Sequence, residues 1–469
     1  MPEKVISLIN VDKLKGIIQR SKENLLASEK QRAEKCIIYL THGAPAFQKS
    51  SLGPCVVKNS KAAFIHGQEV TDSIATWIKK GFVAGPFFYP PVPNLRANSI
   101  LAIPQTDKVR ICINVSLPAE NNLNCNVKAN TLEKVEMSSA KLFSFSILEC
   151  GTGSKMWKFD FIDAYKNVPV PVSDLRLQGF CWLGAYFIEL KQMFGAAASV
   201  QNFDIVANTV KACCLANCAI PRKLVHRQLD DVPVVCPSKL DWGQEFENTY
   251  RAVCNSIGMA LAPDCKNFDK AFSNSTYGKV LGFIFNTENL SWKLPQEKTV
   301  KILNEIASIE SKQKVTLLDM QKLMGNLNHV GQMCPFLCNF RFNLNKTLAA
   351  CIVNSEPITV PDPALQELNV WRNFLLDKEK WVPICHPPHP PPICTKIFIQ
   401  MQQDFQKMVH GKQTLVVGWW AWMRDRTPVS PTNFGGRNPL LPQQLTKKVP
   451  VLVAKQLPLN KLESSCHSY

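Results

Sequence analysis

Apolar positions along the chain change their spacing several times, and each change marks an element. In residues 11–35, VDKLKGIIQRSKENLLASEKQRAEK, apolar residues recur at mixed spacings of three and four among charged ones, which predicts a helix with one buried stripe. EVTDSIATWIKKGFVAGPF (69–87) repeats the pattern, stops at Gly81 and passes into an extended, proline-rich stretch. Short strand-like runs follow: SILAIPQT, KVRICINVS and KMWKFDFIDAY. GFCWLGAYFIEL predicts an aromatic strand, and MFGAAASVQNFDIVANTVKACCLA predicts small residues leading into a helix. HRQLDDVPVV predicts a strand pair, followed by a helix around FENTYRAVCNSIGMAL, a strand YGKVLGFIFNT and two helices. The second of these helices opens with Thr316 and Asp319 in a capping-box pattern and repeats Leu317, Met320, Leu323, Met324 and Leu327. After about residue 380 the chain turns proline-rich and basic, with weak periodicity.

Three acids stand out against this pattern. In KMWKFDFIDAY, alternation puts Trp157, Phe159 and Phe161 on one face and Lys158, Asp160 and Ile162 on the other, so Asp160 leaves the face the aromatics bury. In HRQLDDVPVV, Asp230 and Asp231 sit side by side between Leu229 and β-favouring valines. Adjacent carboxylates repel each other, so the pair belongs either at a solvated hairpin tip or where a cation offsets the repulsion. An acid at one strand end and a pair on a distant turn form the layout that holds two metal ions for phosphoryl transfer.

Composition narrows the partners. The 469 residues are enough for two or three domains, and 46% hydrophobic with 19% charged residues is a globular mixture that excludes disorder throughout. Lys and Arg number 54 against 37 acids, a net +17 that favours nucleic acid or an anionic membrane as partner. No apolar run reaches the length of a membrane span, and MPEKVISLIN lacks the order of a secretory signal. An intracellular protein with no membrane partner is expected, in nucleus or cytoplasm. The 18 cysteines are scattered and predict free thiols; those of KACCLANC (211–218) are expected to pack on a helix. Cys385, His386, His389 and Cys394 in ICHPPHPPPIC are zinc-type ligands, but their spacing fits no common finger, and the prolines favour a stiff linker.

Taken in order, the segments resemble a reverse transcriptase, and most of all those of DIRS-type (tyrosine-recombinase) retrotransposons. The likeness runs from about Glu69 to Leu376. ILAIPQTDKVRICINVSLP resembles the fingers strands, KFDFIDAYKNVPV motif A, QMFGAAASVQNFD motif B and RQLDDVPVV motif C. YGKVLGFIFNTENLSWKLPQEK is similar to the primer-grip region and VTLLDMQKLMGNLNHVGQMCPF to the thumb helix. The resemblance implies an α+β fold: a right-hand polymerase of palm, fingers and thumb with an antiparallel palm sheet. Its parts would be an N-terminal extension (1–65), fingers and palm (66–295), thumb and connection helices (296–380), and a proline-rich linker with a degenerate ribonuclease H-like tail (381–469). The activity implied is RNA-directed DNA synthesis, in which a primer 3′-hydroxyl attacks the α-phosphate of a dNTP with two Mg²⁺ or Mn²⁺ ions. An RNA template, a DNA primer, dNTPs and an element-encoded recombinase are the implied partners.

Carried over residue by residue, the resemblance implies Asp160 and Asp230 as principal metal ligands and Asp231 as the accompanying acid. Tyr165 would lie under the incoming sugar and exclude a 2′-hydroxyl; a buried core tyrosine is the plain alternative. Lys108 and Arg110, two apart on a strand and pointing the same way, would clamp the triphosphate, or else form a solvated face. Phe194 and Gly195 would floor the nucleotide pocket, close helix packing being the alternative. Gly278 and Lys279 would lie near the primer terminus. The chain also departs from the family pattern. Gln228 stands where motif C commonly has an aromatic, Pro233 suggests an edge or irregular strand, and Gln105 and Thr106 occupy a place that often holds lysine. Motif B lacks its proline near Val200, and Gln400 stands where a ribonuclease H acid belongs, so no ribonuclease H activity is expected. The competing expectation is a decayed or domesticated element product that binds nucleic acid without polymerising.

Overall fold

In the computed structural model, which describes residues 5–385 apart from 106, 107, 129–131, 134, 267, 355, 378 and 379, the chain opens with two helices. They are α1 (Val11–Ser21) and α2 (Ala27–His42). Asn10 caps α1 by accepting from the Lys13 amide, and Glu29 accepts from the Leu26 amide at the start of α2. The helix predicted over 11–35 is therefore two, separated by a 3₁₀ turn at Lys22–Asn24. Leu14, Ile17, Cys36 and Leu40 enter the main core, so the segment expected as an extension supplies two of that core's walls.

Next come β1 (Cys55–Val56), α3 (Lys61–Ile65), α4 (Gly67–Lys79), β2 (Val83–Phe87), β3 (Arg96–Pro104), β4 (Val109–Asn114), α5 (Ala140–Cys150), β5 (Lys155–Asp160) and β6 (Gly179–Trp182). They are followed by β7 (Ala185–Glu189), α6 (Ala197–Leu215), β8 (Asp231–Cys236), α7 (Trp242–Ile257) and β9 (Phe272–Ser275). One sheet runs β1-β3-β6-β7-β2 with β4 on β3; it is mixed, parallel at β1/β3 and β3/β6. Val70, Ile74, Ile100, Phe180 and Phe187 give it a core of its own. A second sheet, β8-β5-β9, is antiparallel and packs on the main core together with α6 and α7.

The remainder is β10 (Tyr277–Val280), β11 (Phe283–Asn286), β12 (Ser291–Lys293), α8 (Gln296–Lys312), β13 (Lys314–Val315), α9 (Leu317–Gly331), α10 (Phe342–Val353), β14 (Ile358–Thr359), α11 (Asp362–Leu376) and β15 (Val382–Pro383). Four helices thus stand where two were predicted. α9 begins with the predicted capping box, Thr316 accepting from the Asp319 amide while Asp319 accepts from that of Thr316. β15 returns to pair with β12, completing a sheet of order β10-β11-β12-β15.

Two predicted single strands are hairpins. GFCWLGAYFIEL folds back at Leu183–Gly184 and YGKVLGFIFNT at Leu281–Gly282, all four residues having positive φ. Cys213 and Cys214 are buried thiols on α6, and Cys218 is half-buried. Of the proposed zinc ligands only Cys385 is among the described residues; His386, His389 and Cys394 lie outside them, as do Gln400 and the ribonuclease H-like tail. No helix among the described residues is long and apolar enough to cross a membrane.

Candidate active site

Strands β5 and β8 pair so that Asp160 lies directly opposite Asp231. Along β5 the predicted alternation buries Trp157, Phe159 and Phe161 and leaves Asp160 half-buried. Lys158 departs from it. Its side chain is 8% exposed, donates to the Asp269 carbonyl at 3.1 Å and approaches Asp231 Oδ1 to 3.4 Å. β8 is the outer strand of its sheet, residues 225–228 bridge its other side, and Pro233 takes part there through its carbonyl, which accepts from the His226 amide.

The acidic turn is a two-residue hairpin tip. Gln228 and Asp231 exchange both backbone hydrogen bonds, at 2.9 and 3.0 Å, and enclose Leu229 and Asp230. Leu229 has φ 54°, a left-handed conformation that costs a residue with a Cβ. Asp230 is thereby held out at the exposed tip, next to the half-buried Asp160 and Asp231.

Lys158 is the cation in contact with Asp231, and the proton affinities of Asp231 and Asp160 register the crowding of the acids. Burial and then the charges of Asp230 and Asp160 push the Asp231 carboxyl up to about 6 against the pull of Lys158. Burial followed by Asp230 raises Asp160 as well. No group of three or more His, Cys, Asp or Glu among the described residues forms a ready protein cage for a metal. Mg²⁺ is usually held by one or two carboxylates and completes its shell with water and substrate phosphates. Asp160 and Asp230 fit that donor set, while Asp231 is engaged by Lys158.

Beside the acids lies an aromatic and basic wall. The Arg110 guanidinium sits 4.1 Å from the centre of the Phe194 ring. Phe194 meets Tyr165 edge to face at 5.7 Å, and Tyr165 meets Phe203 in the same way. Burial and then the Asp230 charge push the Tyr165 hydroxyl up to about 12. Lys108 is exposed two residues before Arg110, and its carbonyl accepts from the Gln105 amide; Thr106 lies outside the described residues. Gly195 has φ 86°, and a Cβ there would meet nothing within 4 Å. Asn124, which the sequence pattern gives no reason to single out, holds this loop. It donates to the Gly195 carbonyl at 2.9 Å and accepts from the Ala197 amide at 2.8 Å.

No protein-family model matches the chain, and no curated protein does. Among solved structures it is similar to the foamy viral protease-reverse transcriptase dRH in complex with ds DNA (TM-score 0.51, 16% identity, over 80% of this chain and 62% of that one). It is also similar to the foamy viral protease-reverse transcriptase in complex with RNA/DNA hybrid (TM-score 0.51, 16% identity, over 80% of this chain and 48% of that one). The fold is reverse-transcriptase-like. The chain spans less than two thirds of either neighbour's length.

Within this reverse-transcriptase-like fold the structure gathers Asp160, Asp230, Asp231, Tyr165, Phe194 and Arg110, and it places Gly278 and Lys279 on a different sheet. Gly278 is buried, and a Cβ there would come 2.4 Å from the Phe272 ring, which gives the glycine a packing reason to be present. Lys279 pairs with Glu297 at 2.8 Å.

Crowded acids make the metal-free protein sensitive to pH. Ionising Asp231 in the fold is penalised above pH of about 6, and the penalty fades as pH falls toward its ordinary value of 3.8. Asp230→Asn is therefore expected to raise Tm in EDTA by about 1–3 °C near pH 8, with the gain vanishing near pH 5. Melting curves at the two pH values check this; an equal Tm for both proteins at pH 8 would show that the acids do not repel.

Proposed function

We propose that the chain is an RNA-directed DNA polymerase of a DIRS-type retrotransposon, extending a DNA primer on an RNA template. The observation that carries this reading is the register that puts Asp160 opposite Asp231 with Asp230 at an exposed tip, beside the wall of Arg110, Phe194 and Tyr165. In this reading β5, β8 and β9 belong to the palm, the mixed sheet to the fingers and α8 to α11 to the thumb and connection.

Asp160 and Asp230 would hold Mg²⁺ or Mn²⁺, which when bound supplies Lewis-acid polarisation of the attacking and leaving oxygens. The residues of the chain do the rest. Arg110, with Lys108 two residues away, places positive charge where the triphosphate would lie. Phe194 and the open backbone at Gly195 would let a base and sugar approach closely. The Tyr165 ring, fixed against Phe194 and Phe203, would occupy the space a 2′-hydroxyl needs. Lys158 would hold Asp231 in place, leaving the two other acids open to the ion. The net charge of +17 suits a groove that tracks template and primer phosphates.

The test is dNTP incorporation on a primed RNA template with Mg²⁺ or Mn²⁺, wild type beside Asp230→Ala. Incorporation by wild type that disappears in the variant is the expected result. A wild type that binds the primed template and adds no nucleotide would favour a decayed element product instead.

A further inference from the structure

The left-handed leucine that presents Asp230 needs something to hold it, since a two-residue hairpin tip with positive φ only at its first position usually has glycine there. Arg227 is 2% exposed, two residues before Leu229, and its guanidinium meets three partners at once. Nη2 is ion-paired with Asp204 Oδ1, Nε donates to Asn208 Oδ1 at 3.0 Å, and Nη1 donates to the Leu229 carbonyl at 2.6 Å. Asn208 closes the circuit by donating to Asp204 Oδ2 at 3.0 Å. Asp204 and Asn208 are one turn apart on α6, the helix that follows the Phe194–Gly195 loop. The backbone of Arg227 is pinned as well: its amide donates to Ser138 Oγ and its carbonyl accepts from the Ser138 amide.

Burying a guanidinium is costly unless it is paired with a counter-charge and hydrogen-bonded, and a hairpin needs no such group to keep its register. We infer that Arg227 is a positioning residue: it ties the Leu229 carbonyl to α6, so that the Asp230 carboxylate and the nucleotide wall are set at a fixed relation to each other. Gln228 closes the turn through its backbone while its side chain is exposed, and the buried contact to the turn comes from the arginine behind it. The catalytic consequence rests on the polymerase reading; the structural one does not.

The test uses the full chain and the Arg227→Lys variant, whose ammonium keeps the charge for Asp204 but lacks the planar fork that reaches Asn208 and Leu229 together. Amide hydrogen exchange across residues 228–231 is expected to accelerate by about tenfold or more, with exchange in α7 and α9 changing by less than about twofold. In single-nucleotide incorporation, kcat is expected to fall by about tenfold or more while KM for dNTP and affinity for primed template stay within about twofold. Unchanged exchange at the turn would overturn the inference, as would a KM that rises with no fall in kcat. Should Arg227→Lys fail to fold, Asn208→Ala removes only the Nε acceptor and is expected to speed exchange at the turn by about threefold; no change there would overturn the inference equally. A wild type that incorporates nothing would sink the polymerase reading, while the exchange measurement would still decide this one.

Discussion

An Asp160→Asn chain is expected to bind primed template as tightly as wild type, within about twofold, and to add a nucleotide at least about 10³-fold more slowly. The amide has the shape of the carboxylate, so the backbone pairing with Asp231 and the hydrogen bond from the Ala262 amide to the Asp160 carbonyl survive the change. In the proposed site, what disappears is one of the two carboxylates that would hold the metal, while the remaining acid, Asp231, is already engaged by Lys158. Because burial and Asp230 already raise the proton affinity of Asp160, neutralising it also removes a repulsion, and the variant should be no less stable than wild type without metal. Single-turnover incorporation beside fluorescence anisotropy of a labelled primed template measures both halves. If binding falls together with synthesis, Asp160 shapes the groove rather than the chemistry.

The second large effect lies behind the acids. Gly243, in the first turn of α7, faces Trp157 on the strand that carries Asp160, and a Cβ built there would come 2.2 Å from the indole ring. The ring cannot retreat. Trp157 Nε1 donates to Glu247 Oε2 at 3.0 Å, and Glu247 Oε1 accepts from Arg251 at 2.7 Å and from Ser273 at 2.6 Å. Gly243→Ala is therefore expected to destabilise by about 1–3 kcal/mol and Gly243→Val to prevent folding. Urea unfolding of the alanine variant and the soluble yield of the valine variant test this. An alanine midpoint equal to that of wild type would mean that strand and helix have room to part.

Most of the elements were legible because their apolar spacing matched the faces they bury: Trp157, Phe159 and Phe161 on β5, or Met320, Leu323 and Leu327 on α9. The failures share a physical cause. At 183 and 281 the chain reverses through a leucine in the left-handed region followed by glycine, so an apolar run hides the turn that Asn-Gly would have announced. The break between α1 and α2 was hidden likewise, because Leu26 precedes α2 where a serine or aspartate cap would have signalled a start. In the candidate site, Asp160 and the Asp230–Asp231 pair were visible as acids out of place. Lys158, Arg227 and Asn124 were not, since each acquires its partner only when segments distant in sequence meet: Lys158 reaches Asp269, and Asn124 reaches Gly195. A buried charge shows in a sequence only when its counter-charge is near along the chain.

The docking of the first two helices has a consequence for how the chain is made. The Ser21 hydroxyl donates to the Cys213 carbonyl, the Asn24 amide to the Ala216 carbonyl, and Glu29 pairs with Arg222, each across some 190 residues. At a synthesis rate of about 5–20 residues per second, roughly 10–35 s separate the appearance of α2 from that of the helix that covers it. Over that interval Leu14, Ile17, Cys36 and Leu40 have no native partner on α6, and the nascent chain carries an apolar surface that holding chaperones are suited to shield.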